Sequence, residues 1–282
     1  MTDGPDIHYR PRGRISGLRA GAHPSRQVGS LGNFRDQIPF MAHPDARRID
    51  VRATIRDPFE NTIVRRYQQR ASIDLYAIVD LTASLGYQGH ARKMDLVTTL
   101  CASLARSATQ SGDRFGLIGC DEGVRSECFI PAKRRRGVAD DVADRLARAS
   151  CRGASAEGLR QAADYLVGAR KMVFVISDFL LPLPFLRQMF ESIAQHDVIS
   201  VLVGDSTEDI ALPDWGLMEF SDLETGARRI AFMRPKLKRE WIAREQARHA
   251  AVARLAAEFG RAPVMIADHL DIDRFSRSLM EA

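Results

Sequence analysis

Short apolar runs and longer stretches with apolar residues every third or fourth position alternate along most of this chain, the first kind reading as buried strands and the second as helices packed on one side. The strand-like runs fall at about 73–80, 114–120, 124–130, 172–177, 198–203 and 263–267, and the helical patterns at about 91–110, 137–149, 156–168, 184–195 and 236–259. Strand and helix in alternation predict an α/β fold, a doubly wound and mostly parallel sheet with helices on both faces. Punctuation agrees: Gly112 follows the helical stretch carrying Leu96, Leu100 and Leu104, where a left-handed residue ends a helix. The stretch WGLMEFSDLETGARRIAF, 215–232, has two extended runs around Glu224-Thr225-Gly226-Ala227 and predicts a hairpin, a small β appendage to the sheet.

The pattern divides the chain. Residues 1–45, rich in Arg, Gly, Pro and His, read as an irregular basic arm, and 46–72 as a lead-in. The α/β domain occupies 73–212, the hairpin appendage 213–235, and a helix with a terminal strand 236–282. No internal repeat is present.

Composition narrows the function classes. With 282 residues, 45% hydrophobic and 27% charged, the chain suits one large α/β domain with an appendage. No apolar run approaches the roughly 18–20 residues that cross a bilayer, and the start MTDGPDIHYRPRGR lacks an apolar secretory core, so a cytoplasmic location without a transmembrane segment is expected. Cys101, Cys120, Cys128 and Cys151 form no C-x-x-C pair and read as reduced thiols. The net charge of +5 gathers at Arg10, Arg12, Arg14, Arg19 and Arg26 and in Lys133–Arg136. These read as solvated side chains, since no aromatic interleaving or nucleic-acid module accompanies them, and no nucleic acid is expected as partner.

The candidate chemistry lies in YAIVDLTASLGY, 76–87. An apolar strand ends there on Asp80, with Thr82 and Ser84 at alternate positions after it. In an open parallel sheet ligands bind at the carboxyl ends of strands, and Asp178 in VFVISDF ends another. If those strands are neighbours, two carboxylates and two hydroxyls share one small space. Hard oxygen donors without His or Cys suit Mg²⁺, and neutral hydroxyls leave the ion able to draw a carboxylate from outside.

Asp80-x-Thr82-x-Ser84 with Asp178 resembles the metal-ion-dependent adhesion site of von Willebrand factor A domains, with Thr82 in place of the usual first Ser. That resemblance implies a third hydroxyl from a loop before a helix. Here CRGASAEGL, 151–159, lacks the expected Thr, so either Ser155 substitutes or Ala154 has removed the ligand. The segments PDARRIDVRATIRDPFENTIVRRYQQR, 44–70, and VLVGDSTEDIALPDWGLMEFSDLETGARRI, 201–230, resemble those flanking the A-like domain in a bacterial family encoded beside MoxR-type AAA+ ATPases, which includes the MxaS-like proteins. The resemblance covers roughly 40–235. It implies a non-enzymatic, chaperone-like accessory protein that helps the ATPase mature or assemble a client complex.

Two other classes compete. A haloacid-dehalogenase-type phosphatase would use Asp80 as nucleophile and Gly204-Asp205-Ser206-Thr207-Glu208-Asp209 as its metal motif. Its general acid would be an Asp at the position held by Thr82, whose hydroxyl does not serve near neutral pH. A nucleic-acid-binding protein would use the arm and 133–136. No phosphate-binding glycine loop is present, so ATP would be bound by the partner. His90 and His269 read as surface or capping residues, Trp241 as part of a core stripe with Val252 and Leu255, and Trp215 as either core or anchor.

Overall fold

The structure is a computed structural model and describes residues 6–12, 20–29, 33–153, 155–205, 212–221 and 227–281. The chain forms two compact units, one made of the chain up to Arg10 together with everything from Asp74 onward, the other of Pro11–Ile73.

The smaller unit is an antiparallel sheet of β1 (Ala20–Gly29), β2 (Asn33–Pro39) and β3 (Ile63–Ala71) in the order β1-β3-β2. A short helix, α1 (Val51–Arg56), begins at Asp50, whose carboxylate accepts from the Ala53 amide at 3.2 Å and from Gln37 and Arg65 at 2.7 Å each. The irregular arm expected at 1–45 is therefore corrected, because residues 20–29 and 33–39 are strands. Their backbone groups pair with β3, about 25–50 positions further on. Such pairing leaves little local apolar alternation to read.

The larger unit holds a six-stranded sheet of order β11-β8-β7-β4-β5-β6. It comprises β4 (Asp74–Asp80), β5 (Arg114–Cys120), β6 (Val124–Lys133), β7 (Met172–Ser177), β8 (Asp197–Gly204) and β11 (Val264–Ala267), and every neighbouring pair is parallel except β5 and β6. The pleat sends alternate side chains to opposite faces. Tyr76, Ile78, Val173, Val175 and Val198 pack with Leu159 of α4 (Glu157–Gln161), Phe190 of α5 (Leu183–Ile193) and Leu255 of α6 (Pro235–Phe259). The other face carries the buried Leu75, Ala77 and Val79, and against it lie α2 (Lys93–Gln110) and α7 (Ile272–Glu281), whose Phe275 ring is 6.4 Å from that of Phe174. The remaining helix, α3 (Val138–Arg148), packs beside α2. Burial of both faces explains why these strands read as continuous apolar runs.

The doubly wound α/β fold is as expected, and Gly112 is left-handed at φ 78°. The hairpin is also present, as β9 (Gly216–Ser221) and β10 (Arg228–Met233), while the turn residues Glu224–Gly226 lie outside the described residues. Trp215 is exposed, and so is Trp241 at 38%, because only the last turns of α6, with Val252, Leu255 and Ala256, reach the core. Helix α7 is missed by the sequence reading although its buried Ile272, Phe275 and Leu279 recur at helical spacing.

Residues 6–10 are anchored to the larger unit rather than loose. Ile7 and Tyr9 are buried, the Ile7 amide donates to Ser107 Oγ at 2.8 Å, and Tyr9 Oη donates to Asp113 at 2.6 Å. Arg261, 1% exposed, binds Asp197 through two nitrogens at 2.8 and 3.2 Å and donates to the carbonyls of Leu279 and Arg10. No helix among the described residues is long and apolar enough to cross a membrane.

Candidate functional site

After β4 the chain adds β5 and β6 on one side of it, then crosses back to add β7, β8 and β11 on the other. Loops leaving β4 and β7 thus part in opposite directions and open a crevice between them, the position where open α/β sheets bind ligands. Asp80 ends β4, and Asp178 directly follows β7. The sequence places both carboxylates at the switch point, and the neighbouring strands bring them together.

The crevice is lined with oxygen. Asp80 is fully buried, and Thr82, Ser84, Ser177 and Asp178 are each at most 8% exposed. One oxygen of Asp80 accepts from the Thr82 amide at 2.9 Å and the other from Ser177 Oγ at 2.6 Å. Thr82 Oγ1 and Ser84 Oγ are 3.2 Å apart. Ser177 Oγ in turn accepts from the Phe179 amide at 2.8 Å, which aims its proton at Asp80. Burial, and then the charge of nearby Asp178, push the Asp80 pKa from 3.8 up to about 6, partly offset by the hydrogen bonds from Ser177 and Thr82.

The loop after β7 is strained where it carries Asp178. Phe179 has φ 52°, a left-handed conformation that costs a bulky residue on the order of 1 kcal/mol or more. Packing holds it there: the phenyl group is buried 6.1 Å from the Phe190 ring, and Arg248 Nη2 donates to the carbonyls of Phe179 and Leu181 at 2.8 Å each. Asp178 Oδ1 accepts from the Leu180 amide at 3.2 Å.

Three further residues take part, of which the sequence reading names only Asp205, in the rival phosphatase motif. Ser177 is one. Another is Lys93, 1% exposed, whose ammonium lies 3.5 Å from Asp178 Oδ2 and 5.7 Å from the centre of the Tyr87 ring. The third is Asp205, a buried carboxylate after β8 that accepts from the Ala91 amide at 3.2 Å and steadies the chain entering α2. Lys93 had one local signal: it is the first residue of α2, where a cation opposes the helix dipole and so calls for an anionic partner.

Ser155 differs from the other proposed ligands. It is exposed, and its hydroxyl accepts from the Glu157 amide at 3.4 Å, at the start of α4. The segment before it does reach the site loop, since the Ala83 amide donates to the Gly153 carbonyl at 3.2 Å and the Arg152 amide to that of Leu81 at 3.0 Å. Ala154 lies outside the described residues. All four cysteines are free thiols, and burial raises Cys151 to about 11. A cavity of about 610 Å³ adjoins the site loop, lined by Leu85, Tyr87, Arg92, Met94, Thr98 and Cys151 among others.

The donor set fits a hard divalent cation. Asp80, Asp178, Thr82 and Ser84 offer only oxygen, each carboxylate oxygen keeps a lone-pair direction beyond its present hydrogen bond, and the two buried carboxylates favour positive charge, one of which Lys93 already brings to Asp178. Among the described residues no group of three or more His, Cys, Asp or Glu is placed to hold a metal ion. Of the phosphatase motif, Asp205 is committed to a backbone amide and 206–209 lie outside the described residues. The runs at Lys133–Arg136 and the residues His90 and His269 are exposed.

Strand order and an oxygen-lined crevice at the switch point define an open, doubly wound α/β domain. The chain belongs to the family described as "Protein of unknown function DUF58", which matches residues 39–252. It is similar to "Uncharacterized protein Rv1480" of Mycobacterium tuberculosis, 28% identical over 246 residues, 86% of this chain and 76% of that protein. It is also similar to "Uncharacterized protein in moxR 3'region" of Paracoccus denitrificans, 37% identical over 101 residues, 34% of this chain and 92% of that protein. Among solved structures it resembles the conserved hypothetical protein BatB from Bacteroides thetaiotaomicron, at 12% identity and TM-score 0.49, covering 74% of this chain and 98% of that one.

Proposed function

We propose that this protein is a non-enzymatic adaptor of the MxaS-like kind that works with a MoxR-type AAA+ ATPase in maturing or assembling a client complex. In this reading Asp80, Thr82, Ser84 and Asp178 hold Mg²⁺, Ser155 is a weaker candidate ligand, and the ion takes a Glu or Asp carboxylate from a partner protein. The observation that carries it is the convergence of Asp80, Thr82, Ser84 and Asp178 at the β4–β7 switch point. The relative described as lying in the moxR 3' region supports the choice of ATPase.

This chain's own residues do the positioning. Ser177 and the Thr82 amide fix the Asp80 carboxylate, and the Leu180 amide fixes Asp178. Bound Mg²⁺ would supply Lewis acidity toward an incoming carboxylate. The neighbouring cavity gives room for the residues flanking that carboxylate. Thr82 stands where a haloacid-dehalogenase-type phosphatase would need its general acid, which favours recruitment over that reaction.

The test uses purified protein and a MoxR-type ATPase from the same organism. Association should require Mg²⁺, disappear in EDTA, and be lost in Asp80→Ala while far-UV circular dichroism stays unchanged. Equal association in Mg²⁺, in EDTA and with Asp80→Ala would remove the site from the function.

A further inference from the structure

The adhesion-type crevice contains a cation of its own. Lys93 is 1% exposed, Asp178 is 5% exposed, and the ammonium stands 3.5 Å from Asp178 Oδ2. An ammonium is strongly hydrated, and burying it is costly unless an anion compensates. This lysine is also placed against the dipole of α2, so its helix does not favour it either. What holds it is the crevice: Asp178 in front, and the face of Tyr87 at 5.7 Å as a second resting place. Set against Asp80 and Asp178, the ammonium offsets one of their two charges and so weakens their pull on a dication.

We propose that Lys93 is the resident counter-cation of this site and competes with Mg²⁺ for Asp178, so that a divalent ion binds only as the ammonium withdraws from that carboxylate. The proposal rests on the reading of Asp80, Thr82, Ser84 and Asp178 as metal ligands. The competition is electrostatic. A dication shared by Asp80 and Asp178 would lie within a few ångströms of the ammonium, in a space where screening by water is weak. Withdrawal toward Tyr87 lessens that repulsion without sending the side chain into solvent. Lys93 thereby sets the metal affinity of the site while touching no partner, and it keeps Asp178 neutralised whenever the ion is absent.

Mg²⁺ titration of the intact protein tests this, by isothermal calorimetry at constant ionic strength and by melting temperature against Mg²⁺ concentration. Lys93→Gln removes the charge and retains a donor for Asp178, Lys93→Met is a second neutral variant, and Lys93→Arg keeps the charge. The neutral variants should bind Mg²⁺ at least tenfold more tightly than the wild type, and Lys93→Arg should bind it no more tightly. Should one neutral variant fail to fold, the other carries the comparison. Equal affinity in wild type and neutral variants would overturn the role of Lys93 and leave the metal site standing. If neither wild type nor neutral variants bind Mg²⁺, the metal reading and this inference fall together.

Discussion

Replacing Asp80 with Asn should stabilise the metal-free protein at neutral pH. The ionised carboxylate of Asp80 is fully buried beside Asp178, and its pKa rises from 3.8 to about 6 on folding. At about 1.36 kcal/mol per pKa unit, keeping it charged above pH 6 costs about 3 kcal/mol of stability. The sign follows from proton counting: between the two pKa values the folded state binds more protons than the unfolded state, so this group's contribution worsens as pH rises from about 4 to 6 and is constant above. Asn retains the acceptor for the Thr82 amide. Its NH2 group then faces Ser177 Oγ, which now donates at 2.6 Å to a carboxylate, and that exchange loses about 1 kcal/mol. Asp80→Asn should therefore be about 1–2 kcal/mol more stable than wild type at pH 7.5 in EDTA, and the gain should vanish near pH 4. Urea denaturation at both pH values measures it. The order should reverse with saturating Mg²⁺, which stabilises only the form that binds it. A variant less stable than wild type at pH 7.5, by an amount independent of pH, would refute the account of Asp80 as an uncompensated buried charge.

Tyr9→Phe should lower stability by about 1.5–3 kcal/mol in chemical denaturation, because it strips a buried carboxylate, Asp113, of a hydroxyl donor at 2.6 Å. An unchanged midpoint would show that residues 6–10 do not brace the domain. The purified protein should hydrolyse neither ATP nor p-nitrophenyl phosphate in a coupled or colorimetric assay, and turnover abolished by Asp80→Asn would make a phosphatase the better account.

What could be read from the chain alone follows the range of each interaction. Asp80, Thr82 and Ser84 are legible because strand, turn and donor spacing are all local, and Asp178 because it ends an unmistakably apolar run. Their meeting depends on β4 lying next to β7, which the sequence allows without requiring. Lys93 and Asp178 are 85 positions apart, and no pattern within α2 names that partner. The same limit hid β1 and β2: a small sheet with few apolar side chains is specified by pairing with β3, and an Arg- and Pro-rich stretch looks irregular without it. Ser155 marks another limit, since a position in the expected loop does not by itself bury a hydroxyl, and this one is exposed at the start of α4.

Arg261 has a consequence for how the chain is wired. Its guanidinium fastens the carbonyl of Arg10, the last residue before the chain leaves the larger unit, and that of Leu279 near the chain's other end, with Asp197 of the sheet between them. One side chain thus ties the segment before residues 11–73 to the sheet and to the last helix of the larger unit. The smaller unit, Pro11–Ile73, is an insertion into the larger one. All three partners of Arg261 belong to the larger unit, so the segment before the insertion is fastened by contacts that involve no residue of 11–73.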